Sequence, residues 1–110
     1  MRRFDIINRL INKHSYKSYL EVGTQNPASN FNNVNCENKF CVEPNPTQFG
    51  DGYDWTEQID FVGTSDEYFE SIKDSDIEYD IIFIDGLHHN EQVLKDVENS
   101  LKHLSEGGSI

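Results

Sequence analysis

Glu21, Glu43 and Asp85 each stand at or near the end of a short apolar run: Tyr19-Leu20-Glu21-Val22, Lys39-Phe40-Cys41-Val42-Glu43 and Tyr79-Asp80-Ile81-Ile82-Phe83-Ile84-Asp85. Gly23 follows the first acid by two positions, so the chain can turn tightly there and bring its backbone close to a ligand that a side chain would hold off. Glu43 comes about twenty residues after that glycine turn, where a carboxylate can accept hydrogen bonds from both hydroxyls of a ribose. Histidine is the side chain whose unperturbed titration falls close to neutrality, which makes His88 and His89 candidates to remove a proton from a hydroxyl during group transfer. His88 is the preferred of the two, because adjacent residues entering a helix point in different directions. The full G-x-G-x-x-G pattern is absent, since Gln25 and Pro27-Ala28 follow Gly23. A pyrophosphate needs those later glycines and an open helix start, so a nucleoside cofactor without one is expected.

Alternating helices and strands must position these residues. Phe4, Ile7, Leu10 and Ile11 recur at helical spacing over residues 2–14, and the first strand follows at Tyr19. A short Asn-rich helix is expected from Pro27 to about Val34, and a second strand over 39–43 closed by Pro44 and Pro46. Residues 45–58 read as a loop and 59–63 as a third strand. Thr64 and Glu67 have the capping-box spacing, with Tyr68, Phe69 and Ile72 as the buried face of the helix they start. Four consecutive large apolar residues, Ile81 to Ile84, mark a fourth strand buried on both faces of a parallel sheet. Val93, Val97, Leu101 and Leu104 predict the buried face of a helix over 90–104, stopped by Gly107 and Gly108, and a fifth strand begins at Ser109-Ile110. The pattern predicts an α/β, Rossmann-like open parallel sheet with helices on both faces, incomplete at its C-terminal side. Ligands bind such sheets at the carboxyl ends of the strands, where strand order reverses.

The bulk properties narrow the function. At 110 residues the chain makes one domain over 1–110, short for a complete doubly wound enzyme. Its formal charge of −11 repels phosphate backbones and argues against nucleic acid as a partner. No apolar stretch approaches the roughly 20 residues of a membrane helix and no signal-peptide core follows Met1, so a cytoplasmic protein is expected, without a membrane partner. Cys36 and Cys41 form a lone C-x4-C pair lacking the second pair of zinc ligands, and read as reduced thiols with Cys41 inside a strand.

Taken in order, Tyr19 to Thr24, Cys41-Val42-Glu43-Pro44, Thr64 to Phe69, Phe83-Ile84-Asp85-Gly86-Leu87-His88 and Leu104 to Ile110 resemble the successive motifs of class I S-adenosylmethionine-dependent methyltransferases. The likeness is to the small-molecule branch with an I-D-G-x-H segment after the fourth strand. It implies that Glu21 lies near the methionine end of S-adenosyl-L-methionine, with Gly23 and Thr24 as the turn beneath it. Gln25 stands where the usual second glycine is replaced. Glu43 would bind the ribose hydroxyls, Ser65 and Asp66 would lie near the adenine, and Asp85 would face the methionine part and the acceptor. The equivalent of Asp85 holds a divalent metal in cation-dependent relatives, but one oxygen ligand does not make such a site. The remaining ligands would be expected after the fifth strand. The implied activity is methyl transfer to an oxygen or nitrogen of a small-molecule acceptor, with His88 and Asp85 as catalytic candidates. The alternative is a non-catalytic Rossmann-like binding or assembly module. Similar methyltransferases continue past this point, so a truncated chain is expected that is inactive alone or self-associates through an unpaired sheet edge beside the fourth strand.

Overall fold

The computed structural model describes residues 2–47, 54–85 and 90–110. Its elements are α1 (Arg3–His14), β1 (Ser18–Val22), β2 (Asn38–Glu43), β3 (Phe61–Val62), α2 (Ser65–Ile72), β4 (Tyr79–Ile84), α3 (Asn90–Leu101) and β5 (Leu104–Ser109). All strand pairs are parallel, in the order β3-β2-β1-β4-β5. Because β1 lies between β2 and β4, the order reverses beside its carboxyl end, which creates the crevice such sheets use for ligands.

Side-chain alternation along the strands divides the core into two layers. Tyr19, Cys41 and Ile81 face α1 and pack with Ile7, Ile11, Phe31, Val34 and Ile59. Their neighbours Leu20, Val42 and Ile82 face the other way and pack with Val22, Tyr68, Phe69, Ile72 and Tyr79. The cap expected for α2 forms: Thr64 Oγ1 accepts from the Glu67 amide at 3.1 Å, and Glu67 Oε1 accepts from the Thr64 amide at 2.9 Å. At the amino ends of the strands, Asp80 accepts from the Lys17 amide at 2.7 Å and from Ser105 Oγ at 2.6 Å, which ties β1, β4 and β5 together. The Ser105 bond first, then the Lys17 bond, hold the Asp80 carboxyl below the usual carboxylate range.

Several sequence expectations are corrected. The helix expected from Pro27 to Val34 reduces to one 3-10 turn, Phe31–Asn33. Asn side chains compete for its backbone, with Asn26 Oδ1 accepting from the Ala28 amide at 2.8 Å and Asn33 Nδ2 donating to the Ala28 carbonyl at 3.1 Å. β3 shrinks to Phe61–Val62, because Asp60 Oδ2 takes the Cys41 amide at 2.8 Å in place of a strand neighbour. The loop expected over 45–58 contains a 3-10 turn at Thr56–Gln58, and its Gly50-Asp51-Gly52 stretch lies outside the described residues.

The largest correction concerns α3, which stops at Leu101 instead of 104 and is turned about its axis. Val93 is 38% exposed and Leu101 58%, while Asp96 and Ser100 are buried. Gln92 donates to Asp66 and Asp96 accepts from Ser65, and these hydrogen bonds to α2 hold the polar face inward. β5 begins at Leu104, with Gly107 at φ +80° and a register shift opposite Tyr79 to Ile81. β4 is therefore paired on both sides, and the free edge expected beside it belongs to β5.

Candidate functional site

The carboxyl ends of β1 and β2 and the start of α2 enclose a cavity of about 140 Å³. Val22, Val42 and Pro44 form an apolar wall, Gly23 the floor of a turn, and Thr64, Ser65, Asp66, Gln92 and Asp96 a polar rim. Gly23 has φ +80°, a conformation that glycine takes without a Cβ clash, and its amide donates to the Val42 carbonyl at 2.9 Å. The Thr24 amide shares the same acceptor at 3.2 Å, which closes the turn over β2.

Glu43 stands between two residues of that wall and is only 4% exposed. Its Oε1 accepts from the Gln25 amide at 2.7 Å and its Oε2 from the Asn45 amide at 3.0 Å. Among the described residues these two amides hold the carboxylate in place, and a carboxylate oxygen has more than one lone pair with which to accept. Gln25 carries φ +59°, the left-handed region where glycine is at ease, so the turn keeps a glycine-like shape where the sequence lacks the second glycine.

Glu21 does not line the cavity. It is 1% exposed, and its Oε1 accepts from Tyr19 Oη at 2.6 Å and Asn30 Nδ2 at 2.6 Å. Burial raises its carboxyl above the usual range, and these two bonds only partly counter that. Burial, then the Glu21 charge, raise the Tyr19 phenol as well. Thr24 is also buried, with Oγ1 3.5 Å from the Glu21 carbonyl. Glu21 precedes the turn and Thr24 is a buried part of it.

Asp85 directly follows β4, its amide donating to the Val22 carbonyl at 2.8 Å. Its carboxylate meets the Arg3 guanidinium of α1, which also lies over the Phe83 ring at 5.8 Å. The structure thus gathers Gly23, Ser65 and Asp66 around the cavity with Glu43 beside it, buries Glu21 and Thr24 outside its lining, and points Asp85 toward α1. His88 and His89 lie outside the described residues. Among the described residues no group of three His, Cys, Asp or Glu side chains could hold a metal, and the divalent metal weighed for Asp85 finds no support.

Sequence reasoning missed Gln92, Asp96, Asn30 and Arg3. Gln92 and Asp96 are four apart and so share one helix face, but the apolar stripe at 93, 97 and 101 drew the buried side elsewhere. Asn30 and Arg3 gave no local signal, because each finds its partner through the fold.

The parts fit a nucleoside: an apolar wall for a base, a fixed carboxylate for a diol and a turn open to close approach. The fold is similar to the crystal structure of a protein assigned as a caffeoyl-CoA O-methyltransferase from Staphylococcus aureus, with a TM-score of 0.65 and 25% identity over 98% of this chain. The chain spans 56% of that relative's length. No curated protein matches it. None of the described helices is long and apolar enough to cross a membrane. Residues 20–110 match the family described as a methyltransferase domain, and the chain belongs to that family.

Proposed function

We propose that this chain binds S-adenosyl-L-methionine at the carboxyl ends of β1 and β2 and forms the cofactor-binding part of a methyltransferase acting on an oxygen or nitrogen of a small-molecule acceptor. The observation that carries the reading is the Glu43 carboxylate, anchored by two backbone amides beside the cavity. When bound, the cofactor supplies an electrophilic methyl group on a sulfonium. The chain's own task is alignment for an in-line displacement, plus removal of an acceptor proton where there is one. Glu43 accepts from the ribose hydroxyls. Gly23 lets the backbone approach the cofactor, and Gln25 holds the turn to Glu43. Ser65 and Asp66 flank the base. Glu21 and Thr24 support the turn from within, and Asp85, oriented by Arg3, borders the acceptor side. His88 is assigned the proton. β5 is one of the two outer strands of the described sheet, and Leu94 and Leu101 are exposed on the preceding helix, so two chains are expected to associate along that edge.

Calorimetric titration of the chain with S-adenosylhomocysteine tests the cofactor reading, with one-to-one binding expected. No detectable heat at millimolar ligand would sink it. Binding without methyl transfer to any hydroxyl or amine acceptor would leave the non-catalytic binding module in its place. Sedimentation at micromolar concentration tests the edge, and a stable monomer would remove it.

A further inference from the structure

Gln92 opens the buried face of α3 and lines the same cavity as Ser65 and Asp66. Its Nε2 reaches three oxygens: Asp96 Oδ1 at 2.9 Å, Ser65 Oγ at 3.2 Å and Asp66 Oδ1 at 3.3 Å. Ionised carboxylates only accept, and the Ser65 hydroxyl already donates its proton to Asp96 Oδ1 at 2.6 Å. All three oxygens therefore require a donor, which fixes the carboxamide in one of its two orientations. Its nitrogen faces the acids, and Oε1 is the polar atom it has left to offer. Asp96 holds this arrangement together: it is 2% exposed, sits one turn further along α3, and takes bonds from both Ser65 and Gln92 through one oxygen.

We propose that Gln92 is a specificity-determining residue whose Oε1 accepts from the exocyclic amino group of a 6-aminopurine, with Asp96 as the positioning residue that keeps the carboxamide from turning over. This rests on the reading of the cavity as the nucleoside site. A 6-oxopurine would set a carbonyl oxygen against Gln92 Oε1 beside two carboxylates, acceptor against acceptor in a partly desolvated place. A site built to receive a hydrogen bond rejects a ligand that cannot supply it far more strongly than a merely apolar pocket does. Ser65, its proton committed to Asp96, adds no donor that could rescue the oxo form.

The test compares calorimetric affinities of the chain for S-adenosylhomocysteine and S-inosylhomocysteine, which differ in the 6-amino and 6-oxo forms of the purine. The wild type is expected to prefer the adenosyl ligand by on the order of a hundredfold. In Gln92→Leu the preference falls below about threefold. In Asp96→Asn, where the carboxamide can turn over, it falls to about tenfold with Gln92 still present. A structural role alone would weaken both ligands together and leave their ratio unchanged. If Gln92→Leu does not fold, as judged by circular dichroism, Gln92→Met keeps the side-chain length without either polar atom. A ratio that stays at the wild-type value in the folded variant, or a wild type that binds both ligands equally, overturns the proposal and leaves cofactor binding intact. A wild type that binds neither ligand overturns the cofactor reading and the proposal with it.

Discussion

Glu21 and Glu43 are the same residue type at the ends of adjacent, register-matched strands, and both are nearly inaccessible to solvent. The carboxylate of β1 turns into the core and meets side-chain donors, chiefly Tyr19 and Asn30. The carboxylate of β2 lies beside the cavity and, among the described residues, accepts from backbone amides, those of Gln25 and Asn45. The first is a structural tie between β1 and the segment after it. The second is held by those two backbone amides, and the proposed function makes it the acceptor for the ribose. Burial alone does not distinguish the two acids; the identity of their donors does.

The sharpest way to break this contrast is to remove each acid and read ligand binding. Glu43→Ala is expected to weaken S-adenosylhomocysteine by at least about a hundredfold, since two hydrogen bonds to a charged group contribute roughly 1.5–3 kcal/mol each. Glu21→Gln keeps an oxygen for Tyr19 and should stay within about threefold of the wild type. Equal losses in the two calorimetric titrations would mean that Glu21 reaches the ligand after all. Stability should reverse the ranking. Glu21→Ala leaves the Tyr19 hydroxyl and the Asn30 amide unpaired in the core, and a cost of about 2 kcal/mol is expected in urea unfolding. Glu43→Ala should cost less, because the Gln25 amide it frees lies on an exposed residue.

The same contrast shows what the sequence could convey. The position of both acids was legible, because apolar runs, Gly23 and the prolines after β2 are local signals. Which way each carboxylate turns was not legible, because that depends on Asn30, nine residues away, and on the conformation of Gln25. α3 gives the same lesson at larger scale. Its period was read correctly, but its inward face was not, since the ties of Asp96 and Gln92 to Ser65 and Asp66 bridge residues 26 to 31 positions apart. The alternation of β-strands with helices survives such misreadings, because it rests on many residues at once.

Acid–base titration probes the Glu21 side of the contrast by a smaller effect. Burial first raises the Glu21 carboxyl above its ordinary value of 4.5, against the lowering by Tyr19 and Asn30. A raised folded value means that the fold favours the protonated acid. Its contribution is therefore fully present below the unfolded value and is lost as pH rises through the folded one. Urea midpoints of the wild type should fall relative to Glu21→Gln as pH climbs from about 4.5. Parallel curves for the two proteins would show that Glu21 titrates alike in both states.

The smallest effect falls on the residue that joins the two regions. Gln25 follows the β1 turn and gives its amide to Glu43, and it does so at φ +59°. For a residue with a Cβ that conformation costs roughly 1–2 kcal/mol, whereas glycine adopts it freely but gains more disorder in the unfolded chain. The two terms oppose, and the strain is the larger. Gln25→Gly is therefore expected to stabilise the chain by about 0.5 kcal/mol, with ligand affinity within about twofold, because the amide to Glu43 is kept. Gln25→Pro removes that amide as well as the permitted φ, so it should lose both stability and affinity. If glycine at this position lowered affinity as much as proline does, the Gln25 side chain would be a ligand contact, and the division between a supporting β1 and a binding β2 would have to move by one residue.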